Sequence, residues 1–178
     1  MVKIKKNFLP AMFFNKLKWI LASESFFWHF DPQTVYDKHF KQDDNFMFTH
    51  MLFICKETEL GKKQEHSSWF KEFEPIIYFL NDKIKVKRLL RMKLNLYTNQ
   101  NKIIEHLAHT DINDNDKPRE NVNITILNFT TCNGGTVIKN KRYPSNKNEA
   151  LIFDNLYKHS GLVQTDTQTR ILLNIATE

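Results

Sequence analysis

A chain of 178 residues, 41% hydrophobic and 26% charged, has the composition of one soluble globular domain spanning residues 1–178, with enough length to bury a core. It has no apolar run near the roughly 18 residues that a membrane helix needs, so no membrane partner is expected. Lys and Arg number 26 against 20 Asp and Glu, a formal net charge of +6; this favours small anions, but the basic residues read as solvated faces because no aromatic-interleaved nucleic-acid motif accompanies them. The basic start, Met1 to Lys6, precedes an apolar stretch interrupted by Asn15, Lys16 and Lys18, with no small-residue cleavage site after it. Cys55 and Cys132 have no metal-ligand spacing. A reducing compartment, the cytoplasm, is therefore expected.

Along the chain, residues 10–21 put Phe13, Leu17 and Ile20 on one helical face. Residues 28–66 show little periodicity, and their histidines (His29, His39, His50, His66) offer no i, i+2 or i, i+4 pair for a metal. Within them, 40–66 is expected to be a lid over a pocket. A second helix is predicted over 67–81, capped by Ser67 or Ser68, with Trp69, Phe73, Ile76, Ile77 and Leu80 as a core stripe.

From Ile84 the period becomes two: Leu90, Met92, Leu94 and Leu96 alternate with Arg91, Lys93, Asn95 and Tyr97. In a barrel with an active-site lumen, the polar set faces the pocket. Further strands are predicted over 103–110, 121–129, 135–139, 149–153, 156–160 and 169–176, with a polar loop at 111–121 and a turn at Tyr143-Pro-Ser-Asn146. No helix-length segment separates them. The fold class is thus mainly β with N-terminal helices: a jelly roll over 84–178 and a helical buttress and lid over 1–83.

His109-Thr-Asp111, His159 and Arg170 carry the chemistry. Two imidazoles and one carboxylate make the facial triad that holds non-haem Fe(II) and leaves coordination positions open. On a strand, positions i and i+2 point the same way. His159, 48 residues on, has to arrive on another strand. Arg170 stands where a further strand could bring a planar guanidinium to a carboxylate. His106, at an odd offset from His109, is assigned to structure or to support of the ligands.

The set resembles the Fe(II)/2-oxoglutarate-dependent oxygenases, most closely the prolyl-4-hydroxylase-like branch and its short phage-borne relatives. The resemblance covers roughly 85–178: His109-x-Asp111, Asn133-Gly-Gly-Thr136, Ala150-Leu-Ile-Phe-Asp154, His159 and Arg170. It implies a double-stranded β-helix of the cupin type, Fe(II) on His109, Asp111 and His159, 2-oxoglutarate as co-substrate held by Arg170, and dioxygen. The implied reaction hydroxylates a C–H bond while 2-oxoglutarate is decarboxylated to succinate, and the implied substrate is a protein or peptide; a viral origin would put the protein in the host cytoplasm. Asn95 and Tyr97 stand where related oxygenases contact 2-oxoglutarate, although Tyr97 is read equally as a packing aromatic. Asn128 replaces a tyrosine found in several prolyl-hydroxylase-like enzymes. A nucleic-acid demethylase is the alternative, weakened by Ala176 where such enzymes carry a second arginine. A non-catalytic jelly-roll binding module fits an intact triad poorly, and small-molecule substrates stay open.

Overall fold

The computed structural model describes residues 1–35, 45–58 and 61–178. Its elements, in chain order, are β1 (Lys3–Lys5), α1 (Ala11–Leu21), β2 (His29–Asp31), β3 (Met47–Thr58), β4 (Gly61–His66), α2 (Phe70–Phe73), α3 (Ile76–Asn81), β5 (Leu89–Thr98), β6 (Asn113–Asp114), β7 (Lys117–Pro118), β8 (Asn123–Asn128), β9 (Cys132–Ile138), β10 (Lys141–Ser145), β11 (Glu149–Asp154), β12 (His159–Leu162) and β13 (Thr169–Thr177). The pairing is antiparallel throughout. A large sheet runs β1-β11-β8-β13-β5-β3-β2 with β4 on β3, and a small one runs β10-β9-β12. This is the expected mainly-β, double-stranded β-helix architecture.

The large sheet is covered on both faces. Outside, Phe14, Leu17 and Leu21 of α1, Phe73 of α2, and Ile76 and Leu80 of α3 pack with Met92, Leu94, Leu173 and Ile175. Between the two sheets lie Ile124, Ile126, Leu172, Leu151, Phe153, Ile138 and Tyr143. Burial on both faces explains why β8, β11 and β13 read as near-continuous apolar runs. β5 keeps its alternation because its inner face lines a polar cavity. Both cysteines are free, and no helix among the described residues is long and apolar enough to cross a membrane.

Several expectations change. The helix over 67–81 is two short helices, because Pro75 lacks the N–H that would continue the hydrogen-bond ladder across the junction, although Glu74 itself keeps helical backbone. Neither helix has a side-chain cap; Ser67 instead bonds His50 Nε2 through its hydroxyl, at 3.0 Å. The lid expected at 40–66 is in large part a paired hairpin of β3 and β4, with β3 also bonded to β5; residues 40–44, 59 and 60 lie outside the described residues. The large sheet therefore draws four strands from before residue 84, so the division into buttress and barrel at that position does not follow the strand pairing. The expected strand over 103–110 reduces to isolated bridges, Glu105 to Leu162 and His109 to His159.

Candidate metal centre

His109, Asp111 and His159 meet at one point: a ligand atom from each lies within 4.8 Å of the other two. His159 starts β12, and its backbone exchanges two hydrogen bonds with His109, each 2.9 Å. This pairing brings the imidazoles together, tilted 46° to one another with ring centres 4.6 Å apart. His109 Nε2 is 3.9 Å from Asp111 Oδ1, and His159 Nε2 is 3.3 Å from Oδ2. In the tautomer where His109 Nδ1–H donates to Leu107 O at 3.1 Å, the Nε2 lone pair faces the carboxylate, as metal ligation requires. His159 Nδ1 is buried without a hydrogen-bond partner among the described residues.

The carboxylate is gripped from β5 and β13. Arg91 Nη2 donates to Asp111 Oδ1 at 2.5 Å, Arg91 Nη1 donates to its carbonyl at 3.3 Å, and Asn174 Nδ2 donates to Oδ2 at 2.9 Å. Burial by itself would raise the Asp111 carboxyl, but the Arg91 guanidinium and the two imidazoles outweigh it and hold it well below the usual range. His109 is pushed down, first by burial and then by His159. An ionised carboxylate and neutral imidazoles are the forms that bind a divalent ion.

Asn155, 1% exposed, fixes the backbone around Asp111. Its Oδ1 accepts from Asp111 N and Ile112 N at 3.2 and 3.1 Å. Its Nδ2 donates to Ile112 O and Arg119 O at 2.7 and 3.0 Å. Residue spacing alone does not mark Arg91, Asn174 and Asn155 as site residues. For Arg91 the alternation of β5 carried a usable signal, since it shares the face of Asn95 and Tyr97; Asn155 gave none.

Triad, Lys93, Asn95, Tyr97, His106 and Thr136 line a small cavity of about 40 Å³ between the sheets. It meets a wider vestibule of about 510 Å³ walled by Val35, Thr110, Asp116 and Lys158 among others. Arg170, fully buried, sits behind the inner end, opposite Tyr97 in the β5–β13 register. It donates to Leu162 O at 3.3 Å and to Thr136 Oγ1 at 3.2 Å, and its guanidinium lies 5.5 Å from the Tyr97 ring centre. Its Nε has no partner, and no carboxylate is paired with it among the described residues. Burial lowers its pKa from the usual arginine value. Such a cation suits a carboxylate arriving from the cavity.

Asn95 and Tyr97 line the cavity; Asn95 Nδ2 is 3.5 Å from the Tyr97 hydroxyl, and Asn95 Oδ1 is buried without a partner among the described residues. His106 also lines it, with its ring centre 5.1 Å from that of Tyr97. Asn128 is not part of the cavity wall. Its amide is used between the sheets, accepting from Ser145 Oγ at 3.1 Å and donating to Glu149 O at 3.4 Å. At that level Ile126 and Leu172 line the cavity.

A larger open groove of about 920 Å³ holds Lys85, Lys87, Lys117 and Arg119 but no triad residue. Its bases are interleaved with Asp114, Glu120 and Glu178, and Arg119 pairs with Glu178 at 2.9 Å. It is not a continuous cationic track.

No protein-family model and no curated protein matches the chain. Solved structures do. An oxidoreductase of the 2OG-Fe(II) oxygenase family from Burkholderia pseudomallei superposes with a TM-score of 0.70 at 8% identity, over 99% of this chain and 85% of its own. A viral collagen prolyl hydroxylase from Paramecium Bursaria Chlorella virus-1, solved with 2OG, gives 0.57 at 9% identity over 99% and 94%. A prolyl hydroxylase from Trichoplax adhaerens, solved with a hypoxia inducible factor peptide fragment, gives 0.58 at 13% identity over 99% and 83%. The chain has the double-stranded β-helix fold of the 2-oxoglutarate/Fe(II) oxygenases, as its residues from 85 onward led one to expect.

Proposed function

We propose that the protein is an Fe(II)/2-oxoglutarate-dependent dioxygenase that hydroxylates a C–H bond, with a protein or peptide as its substrate. The observation that carries the reading is the pairing of a convergent His109–Asp111–His159 set with an acid-free buried arginine one side chain behind the same cavity. The donor set fits Fe(II), and Arg170 fits the far carboxylate of 2-oxoglutarate. When bound, iron and 2-oxoglutarate supply the oxidising power drawn from dioxygen, with 2-oxoglutarate leaving as succinate and carbon dioxide.

This chain's residues supply geometry. Arg91 and Asn174 hold the Asp111 carboxylate ionised and fixed; the bridge between His109 and His159 sets the angle between the imidazoles. Tyr97 and Asn95 present a hydroxyl and an amide to the inner cavity, where they orient the co-substrate. The peptide substrate is drawn from the fold's likeness to prolyl hydroxylases, one of them solved with a peptide.

The test is succinate formation from 2-oxoglutarate by the Fe(II)-loaded protein over pools of peptides, nucleic acids and amino acids, together with metal analysis. Wild type is expected to bind one metal ion. His109→Ala and Asp111→Ala are expected to bind it at least about 100-fold more weakly, since loss of a supporting partner already costs 10–100-fold. Stoichiometric metal in Asp111→Ala would sink the triad assignment.

A further inference from the structure

Lys93 is the cation lining the inner cavity that the proposed reaction leaves unused. The alternation of β5 turns it to the inner face with Arg91, Asn95 and Tyr97, and its strand neighbours across the ladders are Asn174 and Met51. With Thr34, His109 and Asp111, it is one of four residues that border both the inner cavity and the vestibule. Arg91 is spent on Asp111. Lys93 has no ion pair or hydrogen bond of its own among the described residues, although Asp111 and Asp31 act on it from longer range. Its pKa is pushed down to about 8, first by burial and then by Arg91, which still leaves the ammonium charged at neutral pH.

A half-buried, unpaired ammonium is costly to maintain unless something anionic meets it. The co-substrate does not remove the imbalance: Fe(II) brings two positive charges and 2-oxoglutarate two negative ones. Arg91, Lys93 and Arg170 then still outnumber Asp31 and Asp111. Position decides which ligand answers Lys93. Along the β5–β13 ladder Arg170 lies level with Tyr97 and Lys93 with Asn174, four residues and about 13 Å nearer the vestibule at roughly 3.3 Å per residue. The inner end is thus assigned to 2-oxoglutarate, and Lys93 faces whatever comes in from the vestibule.

We propose that Lys93 is a specificity-determining residue that receives a carboxylate of the prime substrate at the junction of vestibule and iron site, so the substrate class is acidic: a peptide with Asp or Glu beside the oxidised residue, or a small carboxylic acid. This rests on the proposed oxygenase reading of the same site. The deciding feature is a charge at the mouth where neutral side chains would suffice for a neutral peptide.

The experiment uses full-length protein loaded with Mn(II) and 2-oxoglutarate, so that no turnover occurs. The probes are peptide pools containing Asp and Glu, matched pools with Asn and Gln in their place, and small carboxylic acids with their primary amides. Retention is measured by equilibrium binding. Wild type is expected to hold acidic members at least tenfold more tightly than their amides, either in the peptide arm or in the small-acid arm, which identifies the source of the carboxylate. Lys93→Met is expected to abolish the preference and Lys93→Glu to reverse it, while Lys93→Arg keeps it. Mn(II) and 2-oxoglutarate affinities are expected to stay within about threefold throughout. Equal binding of acid and amide by wild type in both arms overturns the proposal, and so does a preference that persists in Lys93→Met. Loss of 2-oxoglutarate binding in Lys93→Met also overturns it, by assigning the lysine to the co-substrate. A wild-type protein that binds neither Mn(II) nor 2-oxoglutarate overturns the oxygenase reading and this inference together, whereas binding of both without charge preference overturns this inference alone. Should Lys93→Met fail to fold, the wild-type preference and Lys93→Arg still decide.

Discussion

Asp111 illustrates how a single residue's chemistry depends on groups far away in sequence. Burial opposes its charge, and Arg91 and the imidazoles override burial. Because its folded pKa lies below that of the unfolded chain, the stabilisation is complete above the unfolded carboxyl value, about 4, and is lost as pH falls through the lower folded value. In Arg91→Met the effect of burial is less opposed, so the metal-free variant is expected to lose stability at a higher pH than wild type. Acid titration followed by circular dichroism checks this, and an unmoved midpoint contradicts the assigned cause. Arg170 makes the converse case, a buried charge waiting for an acid. Arg170→Ala is expected to weaken 2-oxoglutarate binding by about 2–5 kcal/mol, the usual cost of truncating one partner of a desolvated charge pair, with metal content nearly intact. Unchanged 2-oxoglutarate affinity would remove Arg170 from the site.

At the scale of elements, the residues that converge were legible because their types are restrictive, whereas the element that carries them was not. His109 and Asp111 were expected on a strand but stand at a single bridge and a bend. What replaces the strand is the Asn155 side chain, whose four hydrogen bonds splice the loop after Asp111 onto the turn following β11. No periodicity announces such a brace. Asn155→Ala is expected to cost about 2–3 kcal/mol, because buried backbone groups lose their partners, and to weaken metal binding while leaving the ligands in place. A variant with wild-type unfolding midpoint and metal affinity would rule that role out. β3 is illegible in the sequence for a different reason: a bulge between Met51 and Phe53 breaks the alternation that marks a strand. The scarcity of glycine, four in all, is met by asparagine. Among the described residues, six of the eight non-glycine positions at positive φ are Asn, including Asn115 and Asn140 in tight hairpin turns and Asn148, and asparagine tolerates that region better than most residues. Asn148 also docks the N-terminal segment through two bonds to Leu9, 2.9 and 2.8 Å.

For the whole molecule, the question is which segments control access to the vestibule. β3 cannot swing as a lid while its backbone is bonded to both β4 and β5. The candidate that remains among the described residues is the loop 112–121, which starts beside Asp111, the proposed iron ligand, and contributes Asn113, Asp116 and Pro118 to the vestibule wall. Its ends are pinned by Asn155, and Arg119 ties it to Glu57 and Glu178 at 3.3 and 2.9 Å. Its middle is a two-residue hairpin, β6 with β7, turning through Asn115 and Asp116 at positive φ. A pinned base with a lightly bonded tip is the construction of a flap, and closing it over the site would exclude water from the oxidising step. Hydrogen exchange is expected to show the β3 amides paired with β5 as protected as those of β8 and β13. Amides of 113–118 should exchange much faster in the metal-free protein and slow on adding Mn(II) and 2-oxoglutarate, because the ligands fix Asp111 and with it the base of the flap. If 113–118 are already as protected as the strands without ligands, the flap does not exist. If they stay fast when both ligands are bound, closure needs the prime substrate itself, and the same measurement repeated with an acidic peptide, the class that Lys93 is proposed to receive, separates those two cases.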